Sequence, residues 1–200
     1  MANSKRILDP VAADAAGAGI PMEAGRPLLS TPGLVAPFVV AAVALALGAY
    51  PLGGEALLAA FVGAVLVILA AIDLERRIVP NRIVLPATAV TLLARVALVP
   101  GDAPQYVLAA LLAALFLFLP RIFSREALGM GDVKLGLLIG AALGWGAASA
   151  LALAFLFVFP VALAIVVRKG AEARRTTIPM GPFLALGALV ALLGPGLAGN

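Results

Sequence analysis

The chain has 200 residues, 64% of them hydrophobic and 12% charged, with a formal charge of +4 and a mean hydropathy of +1.14. Soluble domains are typically about 45–50% apolar and roughly 25% charged, so this composition excludes a soluble globular fold and implies an integral membrane protein. It contains no cysteine and no histidine, which excludes disulfides, thiol or imidazole catalysis and Cys/His metal sites.

Residues 1–33 hold Pro10, Pro21, Pro27 and Pro32 among scattered charges, and no apolar run follows Lys5 and Arg6. They read as a flexible cytoplasmic tail, not a secretory signal. Residues 34–200 read as a transmembrane helical domain. Its apolar runs are Leu34–Tyr50, Glu55–Ile72, about Ile83–Val99, about Tyr106–Leu119, Asp132 to about Gly146, about Ala148–Val167 and Met180–Leu193. The runs are long and lack strand-like alternation, so helices are expected rather than a barrel. Polar loops are expected at Asp73–Arg82, from Pro120 to the Gly-Met-Gly-Asp stretch, and at Arg168–Thr177. The expected fold is an all-α polytopic membrane protein of about seven (six to eight) transmembrane helices.

Charge orients it. With seven helices, every Lys and Arg except Arg95 falls in the tail or in alternate loops, and the other loops carry only Glu55 and Asp102. The positive-inside rule then makes the N-terminus cytoplasmic. Arg95, near the outer end of its helix, is expected to snorkel. The basic pI of about 10.1 is a matter of topology. No nucleic-acid partner is expected; the lipid bilayer is.

This arrangement puts Asp73, in Ile72-Asp73-Leu74, and Asp132, in Leu128-Gly129-Met130-Gly131-Asp132-Val133-Lys134-Leu135, on the same face. Taken singly, each acid reads most simply as a helix-flanking or turn residue. Together, in a chain with no other catalytic group in view, they suggest an aspartic dyad. One carboxylate would take a proton from water while the protonated partner polarises the scissile carbonyl. Gly129 and Gly131 would let backbone approach the acid. Lys134 reads as a support of the site or an ordinary inside-flank lysine.

Three stretches together resemble the type IV prepilin peptidases, the leader peptidases of the Gly-x-Gly-Asp aspartic class. They are Asp73-Leu74 with Ile78, Pro80 and Asn81; Leu128–Leu135; and Ile178-Pro179-Met180-Gly181-Pro182-Phe183-Leu184-Ala185. The likeness covers about residues 50–195. It implies that Asp73 and Asp132 are the catalytic pair, with Gly129, Gly131 and Lys134 in support. It further implies that Pro80, Asn81, Gly181 and Pro182 contact substrate, and that no cofactor or metal takes part. The implied substrates are prepilins or pseudopilins of type IV pilus or type II secretion systems. Their basic leader would be cut after a glycine at the cytoplasmic face of the inner membrane.

Bifunctional relatives carry a Cys-x-x-Cys insert and also N-methylate the product. This chain lacks cysteine, so peptidase activity without methylation is expected, and methylation would fall to a separate methyltransferase. A rival reading is a small proton-coupled transporter or channel with the two aspartates as a relay. It expects acids near the bilayer midplane and an internal repeat, and no repeat is visible.

Overall fold

The computed structural model describes residues 32–123, 128–170 and 178–194. The expected tail up to residue 31, the loop positions Arg125 and Glu126, and the basic pair Arg174 and Arg175 lie outside the described residues.

Among the described residues seven α-helices follow one another: α1 (Pro32–Ala49), α2 (Gly54–Arg76), α3 (Asn81–Leu98), α4 (Ala103–Phe123), α5 (Met130–Leu143), α6 (Ala147–Lys169) and α7 (Gly181–Leu193). No strand occurs among the described residues. Among the described residues four stretches are long and apolar enough to cross a membrane: Gly54–Arg76, Asn81–Leu98, Ala103–Ile122 and Met130–Lys169. The last contains α5, the Gly144–Gly146 turn and α6, and two shorter apolar helices accompany the four. The protein is an all-helical, polytopic membrane protein.

Contacts along each helix give the directions. Gly136, Gly140 and Gly144 of α5 and its turn face Leu117 and Ala113, then Ala110, then Tyr106 of α4, so these helices are antiparallel. Gly144 has φ +56°, a left-handed conformation that suits a residue without a Cβ, and there the chain reverses into α6. Bonds between residues 81 and 134 at one end, and 95 and 142 at the other, make α3 and α5 parallel. Contacts of Asp73 with Gly181 and of Tyr50 with Leu192 make α2 and α7 antiparallel. All the described Lys and Arg except Arg95 therefore sit at one end, with both aspartates.

Leu66, Leu69, Leu135, Leu138, Ile139 and Leu184 are almost fully buried, while Phe38, Leu111, Leu156 and Phe159 lie largely exposed on the outside. Exposed leucine and phenylalanine in these numbers suit hydrocarbon, where apolar surface carries no penalty. Helices meet instead through close backbone approach. A Cβ at Gly140 would run into the Ala110 and Ala109 backbone of α4.

Several boundaries differ from the sequence expectation: Asn81 and Arg82, expected in the first loop, open α3, and Arg168 and Lys169, expected in the third, end α6. The loop expected to begin at Asp73 begins after Arg76, because Leu74, Glu75 and Arg76 continue the helix and Arg77, at φ 53°, closes it. Those three residue types lose little rotamer freedom in a helix. Asp73 thus lies within the last turn of α2, not at a loop edge. Pro120 does not open a loop: it sits in the last turn of α4, which runs to Phe123. Helix α5 starts at Met130, which puts Asp132 in its first turn.

Arg95 corrects a further expectation. It does not snorkel. It is only 9% exposed, paired with Glu55 at 3.0 Å, bonded to the Ala142 carbonyl at 2.6 Å and stacked 4.4 Å from the centre of the Tyr106 ring. A buried partner set of this kind outcompetes a reach toward water.

Candidate active site

The three stretches singled out in the sequence converge at the basic end. Asp73, 6% exposed, points away from lipid toward α7. Its Oδ2 accepts a hydrogen bond of 3.1 Å from the Gly181 N–H. That N–H belongs to the first residue of α7 and has no partner within its own helix. Pro182, next in line, lacks an N–H and loses nothing at this position. A Cβ at Gly181 would lie 2.5 Å from the same Asp73 oxygen, so only glycine lets the backbone come this close.

Asp132 is set up in parallel fashion. Gly129 is the N-cap of α5, its carbonyl accepts the Asp132 N–H at 3.2 Å, and its own N–H bonds the Asp132 carboxylate. The carboxylate supplies the N3 half of a capping box, with a backbone carbonyl in place of the N-cap side chain, and the acid lies in the favourable field of a helix start. Arg121 of α4 donates to the Leu128 carbonyl at 2.9 Å and so holds the entry to this turn.

The two motifs then touch each other. Arg77 ends α2, and the chain runs through Ile78 and Val79 to Pro80, the N-cap of α3. Val79 packs on Gly131, where a Cβ would come within 2.9 Å of the Val79 side chain. One residue past Pro80, Asn81 accepts a 2.6 Å hydrogen bond from Lys134. Asp73 and Asp132 lie within reach of each other's charge, and Arg77 within reach of Asp73.

The aspartate-bearing helices α2 and α5 hardly touch each other directly. Helix α2 packs on α1, α7 and α3, and α5 packs on α4, α3 and α7. Helices α3 and α7 touch both and bring the carboxylates together. Of the expected residues, Asp73, Asp132, Gly129, Gly131, Lys134, Pro80, Asn81 and Gly181 are thus assembled in one place. Pro182 lines an apolar groove beside it, with Ala71 and Leu74 of α2. The role of Gly181 as a hydrogen-bond partner of Asp73 was not readable in the sequence, since the two are 108 positions apart.

The paired carboxylates, each held by a backbone N–H, form an arrangement suited to acid–base chemistry on one bound water. No group of three or more acidic side chains among the described residues could hold a metal ion.

A prepilin leader peptidase/N-methyltransferase of Legionella pneumophila is 30% identical over 133 residues, 64% of this chain and 46% of that protein. The chain therefore spans about half the length of that curated relative. No solved structure matches. The Type IV leader peptidase family matches residues 60–167, a stretch that contains both aspartates and more than half of the chain. The chain belongs to the type IV leader peptidase family.

Proposed function

We propose that this chain is an aspartic endopeptidase of the inner membrane that removes the leader of type IV prepilins or pseudopilins at the cytoplasmic face. The observation that carries the reading is the convergence of Asp73 and Asp132, from separate helices, at the basic end of the bundle. The positive-inside rule makes that end cytoplasmic. Family membership and the relative's printed name supply the substrate class.

In the proposed reaction one carboxylate accepts a proton from water as its oxygen attacks the scissile carbonyl carbon. The other, protonated, donates to the carbonyl oxygen as negative charge develops there. The tetrahedral diol then collapses: the C–N bond breaks and the leaving nitrogen takes up a proton, which regenerates the shared-proton pair. The titration belongs to the dyad as a whole. Gly181 and Gly129 fix the carboxylates by backbone donors, so no side-chain rotamer has to be found during turnover. Lys134 and Asn81 pin α5 to the start of α3, and Pro80, Asn81 and Pro182 border the space in which a substrate backbone would lie.

Methylation of the product is not assigned to this chain, which has no cysteine for a Cys-x-x-Cys domain; a separate methyltransferase would supply it. A proton relay, the rival reading, wants acids near the midplane, and both acids here lie at one end.

The test is cleavage of a prepilin in detergent or liposomes by wild type, Asp73→Asn and Asp132→Asn. Cleavage that disappears in both variants is expected. Undiminished cutting by either variant refutes the dyad.

A further inference from the structure

Two of the helices that build the site, α5 and α7, are the shortest of the seven described. Helix α5 has 14 residues and α7 has 13. At 1.5 Å per residue they reach about 20 Å, against a hydrocarbon thickness of about 30 Å. With their N-termini at the basic end, their C-terminal carbonyls fall short of the opposite boundary. Free carbonyls at that depth need partners.

Both helices have them. Arg95 donates from Nη2 to the Ala142 carbonyl in the last turn of α5 at 2.6 Å. The Tyr50 hydroxyl donates to the Leu192 carbonyl in the last turn of α7 at 2.7 Å. Glu55 in the first turn of α2 balances the Arg95 charge at 3.0 Å, and Tyr106 of α4 covers the guanidinium face. Both tyrosines of the chain are used here. The cluster draws on α2, α3, α4 and the α1–α2 connection, and its two outputs are the ends of α5 and α7.

We infer that Arg95 and Tyr50 are positioning residues: they set the axial register of α5 and α7, and through those stiff helices the meeting of Asp132 with the Gly181-held Asp73. A slip of one residue along a helix moves its start by about 1.5 Å, enough to part Gly181 from Asp73. A simple ion pair would need only Glu55 and Arg95. The second nitrogen of Arg95 goes instead to the end of the helix whose other end carries Asp132. The catalytic consequence rests on the peptidase reading; the register does not.

The test uses the chain's lack of cysteine. Asn81→Cys with Lys134→Cys places a thiol pair where α3 and α5 touch at the catalytic end, and the rate of disulfide formation in the intact, detergent-solubilised chain reports their register. Adding Arg95→Met should slow that rate about tenfold, since an unpaired Glu55 and a bare carbonyl favour a shifted α5. Adding Arg95→Lys, which keeps the charge but not the two-pronged reach, should slow it less. Where Arg95→Met does not fold, Arg95→Lys decides. Disulfide formation at the parent rate in the folded variants overturns the inference. The measurement needs no substrate, so it stands even for a chain that cleaves nothing. On prepilin, Tyr50→Phe should lower kcat several-fold with KM unchanged; an unchanged kcat overturns the α7 half of the inference.

Discussion

The two ends of this bundle handle buried polar groups in opposite ways. At the Arg95 end a cation, an anion, the Tyr50 hydroxyl, the Tyr106 ring face and two helix carbonyls are matched, while the Arg95 Nε has no hydrogen-bond partner. At the aspartate end two acids face each other, and the donors on them are single backbone N–H groups. The first arrangement holds helices in place. The second leaves Asp132 only half-buried, open to water and substrate, while Asp73 is held by the Gly181 N–H.

Substitutions at the two ends should therefore separate activity from stability. The largest effect is expected for Asp73→Asn and Asp132→Asn, each lowering prepilin cleavage roughly 10³-fold or more in single-turnover assays, the scale of acid–base catalysis. Thermal melts of the same variants should show stability unchanged or raised, because a buried carboxylate becomes a neutral amide. A large loss of stability would mean the aspartates are structural, and the contrast would collapse.

Gly181→Ala comes next. Its Cβ must push Asp73 aside, and about a 10²-fold loss of kcat is expected with the fold retained. At the other end, Arg95→Met should destabilise the chain by about 1–3 kcal/mol in denaturant titrations. That is less than the ~3–5 kcal/mol for breaking a fully buried pair, since Glu55 is 41% exposed. The smallest effect is expected for Lys134→Ala, which removes a surface hydrogen bond to Asn81 and should cost less than about 1 kcal/mol.

The sequence made one end more legible than the other. Three stretches of short-range pattern pointed to the aspartate end, and the structure brings all three there. What they could not convey was how the acids are reached: the Gly181–Asp73 contact joins residues far apart, and the mediation of α3 and α7 is a property of packing. The Arg95 end was misread. A basic residue near a helix end fits snorkelling, and burial depends on neighbours that no local pattern reveals. One signal was present. On the side poor in charge, Glu55 and Arg95 stand with the chain's only two tyrosines, a combination that already contained a matched buried set. Polarity alone does not end a helix: Leu74-Glu75-Arg76 has the propensity to extend α2, and Pro120 is accommodated in the last turn of α4.

The glycine face of α5 has a consequence for how the dyad is specified. With Gly140 against the Ala109–Ala110 backbone and Gly136 against Leu117 and the Ala113 carbonyl, α4 and α5 share a seam that leaves no room for a Cβ on α5. Asp132 rides on that seam. Asp73 rides on α2, which is braced by α1 and α7. Neither acid's position is written into its own helix alone. The gap between them is a tolerance stack, the accumulated fit of two sub-assemblies, so variation in the small residues of α4 would alter the catalytic centre as surely as a change beside the aspartates.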